Sequence, residues 1–196
     1  MLKKTVLLAL GASSLFAFHM AELNINDKDF EAKLRFDMGQ FNESVMPDTT
    51  FFGIGYIKGS EDHSDFHQAD GLVEANFLMQ RNVGNSENLT LGLGIKYEYS
   101  NIDDEDFSAI PLGIEARYRL PFDIGIPIYI GGIFYYSPEV LTFNDAKNFV
   151  EYRANVDLEI IERGHLVAGY RNIDLNFEEV DMNYNNSWYL GFRFQF

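Results

Sequence analysis

Few residue groupings in this chain have the types and spacing that could do chemistry. His63 and His67 stand among Asp62, Asp65 and Asp70, so two imidazoles and a carboxylate could together hold a metal ion. That i, i+4 spacing aligns ligands only on a helix, and nothing around it reads as helical, so a solvated acidic loop is the expectation. Asp103, Asp104, Glu105 and Asp106 form an unbroken acidic run. Carboxylates at this density attract Ca²⁺ or Mg²⁺ weakly, but the glycine-punctuated spacing of a dedicated calcium loop is missing. Ser137 and Glu139 could supply a nucleophile and an acid, as in barrels that hydrolyse lipids or peptides. The base is lacking, because His165 falls at the opposite end of its predicted strand. No catalytic residue and no cofactor are therefore expected. A lipid- or peptide-hydrolysing barrel is the alternative reading, and a soluble periplasmic binding barrel a third.

Composition narrows the field further. The 196 residues carry 15 Lys and Arg against 30 Asp and Glu, a net charge of -15 that would repel a phosphate backbone and so excludes nucleic acid as a partner. Cysteine is absent, which removes disulfides, thiolate metal sites and a lipid-anchored N-terminal cysteine. Aromatic content is high, at 18 Phe and 11 Tyr with one Trp.

The first segment reads as an address. Lys3 and Lys4 precede a short apolar run, Val6 to Leu10, followed by Gly11, Ala12, Ser13 and Ser14. A basic start, an apolar heart and then small residues describe a secretory signal peptide over 1–21, with cleavage after Ala17 or Ala21. The remainder, 22–196, is expected to form one domain.

Beyond the leader, apolar and polar residues alternate with period two, as in strands with one apolar and one polar face. Phe30, Ala32, Leu34 and Phe36 oppose Glu31, Lys33, Arg35 and Asp37. Leu89, Leu91, Leu93, Ile95, Tyr97 and Tyr99 oppose Thr90, Gly92, Gly94, Lys96 and Glu98. The pattern recurs at 73–80, 110–120 and 150–160, and ends in Trp188, Leu190, Phe192, Phe194 and Phe196. Segments of about ten residues suit tilted strands that cross a bilayer. Short turns at Asn82–Glu87, Pro121–Ile126 and Ile161–Gly164 alternate with longer loops at Ser60–Asp70, Ser100–Ser108, Pro138–Lys147 and Leu175–Asn185. The fold class expected is all-β: a transmembrane antiparallel up-and-down barrel of eight to ten strands. Ten is preferred if Glu22–Asn26 supplies one.

A barrel of this kind is turned inside out relative to a soluble one, with the polar face inward. Glycines concentrate on the polar face, as a crowded lumen requires. The residues assigned inward are Glu31, Lys33, Arg35, Asp37, Glu74, Lys96, Glu98, Glu115, Arg117, Arg119, Glu151, Arg153, Asp157, Glu159, Arg171 and Arg193, in equal numbers of acids and bases. Buried charges are costly unless paired, so a cross-strand ion network and a mostly closed lumen are expected. Tyr97, Tyr99, Tyr135, Tyr136 and Tyr152 are expected in an interfacial girdle. The long loops hold acids almost without bases, which predicts an acidic outer rim.

Residues 128–174 carry a more specific signal. Tyr135-Tyr136-Ser137-Pro138-Glu139, then Glu151, Ala154 and Asn155, then Gly169-Tyr170-Arg171 and Ile173-Asp174, resemble the YfaZ family of predicted outer-membrane proteins of Gram-negative bacteria, as does the terminal Phe196. The resemblance is good over the last third of the chain and general before it. It implies an outer-membrane location, a barrel fold, and contact with membrane lipid, lipopolysaccharide and the barrel-assembly machinery. It brings no activity or catalytic residue. The terminal Trp188, Leu190, Phe192, Phe194 and Phe196 resemble the assembly signal of such barrels. A monomeric, non-enzymatic envelope protein with a structural, surface-interaction or narrow-channel role is the expectation.

Overall fold

A computed structural model describes residues 18–58, 70–84, 87–102, 105–122, 125–144, 146–177 and 181–196. Its strands are β1 (Phe18–Ile25), β2 (Phe30–Asp37), β3 (Thr50–Ile57), β4 (Leu72–Asn82), β5 (Leu89–Ile102), β6 (Glu105–Ala109), β7 (Leu112–Arg119), β8 (Ile128–Ser137), β9 (Thr142–Asn144), β10 (Ala146–Ile161), β11 (Gly164–Phe177) and β12 (Asp181–Gln195). Each barrel strand pairs antiparallel with its neighbours, in the order β4-β3-β2-β1-β12-β11-β10-β8-β7-β5, and β5 returns to β4. The wall is a closed ring of ten strands. Closure leaves no strand edge in the ring, which satisfies the backbone hydrogen bonds of every wall strand. β6 continues β7 along β5 in one register (Ile95↔Leu112, then Glu98↔Ala109) and pairs with β9, so these two short strands extend the wall at its tall end rather than adding to the ring.

The tenth strand is the one the sequence read least well. Apolar parity flips between Ile25 and Phe30 because a tight hairpin separates them. Asn26 donates its N–H to the Asp29 carbonyl at 3.1 Å, and its side-chain oxygen accepts from Lys28 and Asp29, each at 2.7 Å. Such an Asx turn needs only one short polar residue. β1 then pairs with β12 from Met20↔Gln195 to Ile25↔Leu190, closing the barrel. β1 already begins at Phe18, inside the segment read as leader.

Wall height is uneven. β5, β10, β11 and β12 run 14 to 16 residues, whereas β1, β2 and β3 run eight. The stretches expected as long loops at 100–108 and 175–185 are mostly strand: Ile102 pairs with Glu105, and Asn176 with Asp181. At the opposite end β2 stops at Asp37, whose carboxylate accepts from the Gly39 and Asp48 amides at 2.9 Å each. This cap starts a 3₁₀ turn at Met38–Gln40, which ends the strand.

Side chains on the wall sort by parity. Outward positions are apolar and exposed, including Leu93 (70%), Ile114 (55%), Leu190 (67%) and Trp188 (76%). Inward positions in the middle of the barrel are polar and buried, including Glu31, Glu74, Lys96, Glu151 and Arg171. A soluble barrel has the opposite arrangement.

Candidate functional site

The interior is built in two layers. The middle layer is ionic, and its members come from eight of the ten wall strands. Glu31 of β2 accepts from Arg153 of β10 at 2.5 Å and from Arg171 of β11 at 2.8 Å, and Lys33 stands 3.2 Å away. Arg171 uses its remaining donors on Asp29 at 2.7 Å and Asn185 at 2.9 Å. Arg153 also donates to Glu151 at 2.5 Å. Lys96 lies 2.6 Å from Glu151, 2.8 Å from Glu74 and 3.7 Å from Glu98. Nearer the short-turn end, Arg193 pairs with Glu22 at 2.5 Å and with Asp157, Arg117 lies 3.4 Å from Asp157, and Arg35 lies 3.2 Å from Glu115.

Local sequence explains how these groups fit. A strand places every second residue in the lumen, so Lys96 and Glu98, or Glu151 and Arg153, arrive as adjacent inward neighbours. Small residues opposite then make space. A Cβ on Gly94 would stand 2.1 Å from the Tyr135 hydroxyl, and one on Gly113 would stand 2.5 Å from its ring. Tyr135 therefore lies flat against two glycines, with Lys96 Nζ 4.3 Å from its ring centre and its hydroxyl donating to Glu115 at 3.0 Å.

This corrects the girdle expectation. Tyr97, Tyr99, Tyr136 and Tyr152 do face outward and are exposed, but Tyr135 is buried inside. Adjacent residues on one strand take opposite faces, so Tyr135 and Tyr136 cannot share one. Tyr170 and Trp188 continue the outer row instead, with ring centres 6.2 Å from Tyr152 to Tyr170 and 5.3 Å from Tyr170 to Trp188.

Three of the residues assigned to the charge network stand apart from it. Asp37 is buried but committed to the turn described above. Arg119 is exposed at the end of β7. Glu159 accepts from the Tyr129 hydroxyl at 3.0 Å and has no ion pair among the described residues. Sequence reasoning missed Glu22 and Asp29, which looked like leader boundary and turn. Their parity with Glu31 across the β1–β2 hairpin was the available signal.

The upper layer is apolar and was not foreseen. Ile102, Phe107, Phe149, Ile173, Leu175, Phe177 and Tyr184 pack together inside the tall end of the wall. Phe107 meets Phe149 at 6.0 Å and Phe177 at 6.2 Å between ring centres. The Tyr184 hydroxyl accepts from the Leu72 amide at 2.9 Å and donates to the Asp70 carbonyl at 3.0 Å, tying β12 to the start of β4.

The remaining candidates disperse. Residues 59–69, with His63 and His67, and the pair Asp103 and Asp104 lie outside the described residues. Asp106 is exposed, and hydrogen bonds from Tyr99 at 2.8 Å and Asn101 at 3.2 Å hold its carboxyl below the usual range. Glu105, the neighbouring residue, begins β6 opposite Ile102. Glu74, Glu98 and Glu151 bring carboxylate oxygens within 4.8 Å of one another, as a metal site would, but the Lys96 ammonium stands among them. Ser137 is buried and donates to the Leu141 carbonyl at 3.0 Å, while His165 sits at the far end of the barrel beside the β10–β11 turn.

Comparison with known proteins gives one family. The model described as YfaZ precursor matches residues 11–196, nearly the whole chain, and the chain belongs to that family. No curated protein matches it.

Proposed function

We propose that this YfaZ-family barrel is an outer-membrane protein of a Gram-negative bacterium, non-enzymatic and closed to free diffusion, with its tall end and acidic rim outside the cell. One observation carries the reading: the wall exposes apolar side chains on all sides while ion pairs cross the middle of its interior. Burying apolar surface is worth roughly 25 cal/mol per Å², so an outer face of this composition is stable against lipid and costly against water. The aromatic row from Tyr152 through Tyr170 to Trp188, with Tyr97, Tyr99 and Tyr136 exposed elsewhere on the wall, suits an interface that holds amphipathic rings. The apolar cap and the ionic layer beneath it obstruct the lumen in series. This favours an envelope structural or surface-interaction role over solute passage.

The leader is removed after Ala17 in this reading. Met20 pairs with both Arg35 and Gln195, Ala21 with both Leu34 and Phe194, and the Phe196 amide donates to the His19 carbonyl at 2.9 Å. Cleavage after Ala21 would strip these partners from both neighbouring strands.

The decisive test uses the single tryptophan. Trp188 points away from the lumen. In protein refolded into vesicles, brominated acyl chains should quench its fluorescence strongly and its emission should be blue-shifted. Unquenched, water-like emission would refute the membrane reading.

A further inference from the structure

Toward the short-turn end of the ionic layer the lumen is not filled. A cavity of about 170 Å³ extends from Gln195 and Thr90, near the short-turn ends of their strands, up to Lys96 and Arg153 at mid-height. Side-chain exposure falls along it from Arg117 (28%) through Arg193 (14%) and Arg153 (6%) to Lys96 (1%), so solvent enters from the short-turn end.

The lining is cationic in a chain of net charge -15. Lys33, Arg35, Lys96, Arg117, Arg153 and Arg193 face it, against Glu22, Glu74 and Glu115. Hydrogen-bond supply is unbalanced in the same direction. Nε and Nη2 of Arg117 and Nη2 of Arg153 are buried without a hydrogen-bond partner, and no carboxylate or amide oxygen of the lining residues is left so. Arg117 is steadied by the face of Tyr129, 4.1 Å from its guanidinium carbon, and by a single Asp157 oxygen 3.4 Å from Nη2 that it shares with Arg193, rather than by a bidentate carboxylate. Arg35 shares one nitrogen between both Glu115 oxygens at 3.2 and 3.3 Å, which leaves its planar fork incompletely used.

Unmet buried donors are costly, and guanidinium forks match oxyanions in shape and charge. We propose that this cavity is a binding site for a small tetrahedral oxyanion of the phosphate or sulfate class, entering from the short-turn side and held chiefly by Arg117 with Arg153 above it. The volume admits such an ion with a few waters, each occupying about 30 Å³. The strand wall separates the site from lipid, so the ligand is a free anion and not a phospholipid headgroup. Nothing in the inference requires that the barrel be in a membrane.

The test uses the whole mature chain refolded in zwitterionic detergent without phosphate. Inorganic phosphate or sulfate, titrated calorimetrically against NaCl of matched ionic strength, should give saturable binding of one ion per chain. Short-chain phosphatidic acid should not compete. Arg117→Gln should weaken phosphate binding roughly tenfold or more, Arg117→Lys should restore part of it, and Arg119→Gln, which lies outside the cavity, should leave it unchanged. Absence of saturable binding by the wild type overturns the proposal. So does binding that Arg117→Gln retains in full, or that phosphatidic acid displaces. Should Arg117→Gln fail to fold, the wild-type titration and Arg117→Lys still decide.

Discussion

Lys96 of β5 and Glu151 of β10 meet at 2.6 Å across the lumen, although β7 and β8 separate their strands in the wall. The same ammonium also serves Glu74 and Glu98. It is the one cation that reaches all three buried carboxylates, since Arg153 serves only Glu151 of the three and Lys33 only Glu74, and its removal would leave Glu98 without an ion pair among the described residues. Lys96→Met should therefore destabilise the barrel by about 3–5 kcal/mol. Glu98→Gln should be neutral or stabilising, because Oε2 of Glu98 has no hydrogen-bond partner and its charge adds to the crowding. Boiling-dependent gel mobility against temperature measures both. Equal stability of Lys96→Met and wild type would refute the keystone role.

The apolar cap and the ionic layer obstruct the same path at different heights. Wild-type protein in planar bilayers should show no steady conductance. Phe149→Ala should lower stability by about 3–5 kcal/mol through the cavity it leaves beside Phe107, yet stay closed because the ions below are untouched. Large stable wild-type channels would overturn the closed reading.

Closure depends on β12 finding β1, and the last residue takes part in it. The Phe196 ring packs 5.1 Å from Phe194, and its amide bonds His19. Deleting Phe196 should reduce assembled, heat-modifiable protein far more than Phe41→Ala, which alters an exposed side chain in the β2–β3 connection. Similar yields of both variants would remove any special role for the terminus in assembly.

Asp70, Asp106 and Glu139 are exposed at the tall end, in a region whose sequence holds many acids and few bases. Such a rim repels surface phosphates unless cations bridge them. Millimolar Mg²⁺ or Ca²⁺ should raise the unfolding temperature in lipopolysaccharide-containing vesicles more than NaCl of equal ionic strength. Identical melting curves would dispose of bridging.

The sequence by itself determined the strands, their faces and the charge of the lumen, because period-two alternation is a local property that each segment displays alone. It also held the tenth strand, visible as Leu23 and Ile25 before a parity change. Who meets whom was decided only by the closed wall. Glu31 and Arg153 lie 122 residues apart, and they meet because the stagger between paired strands brings β2 and β10 to one height. That stagger is a sum over every pairing in the ring, which no single segment reveals. Tyr135 was misread because its type suggests an interface, whereas its place beside Tyr136 forces it inward against Gly94 and Gly113. The cap was hidden for a related reason. Phe107, Phe149, Leu175 and Tyr184 come from segments that look like loops or strand ends, and only the unequal heights of the strands stack them over one opening. The cationic cavity has the same origin, since equal numbers of acids and bases along the chain say nothing of how they divide between the two ends of a barrel.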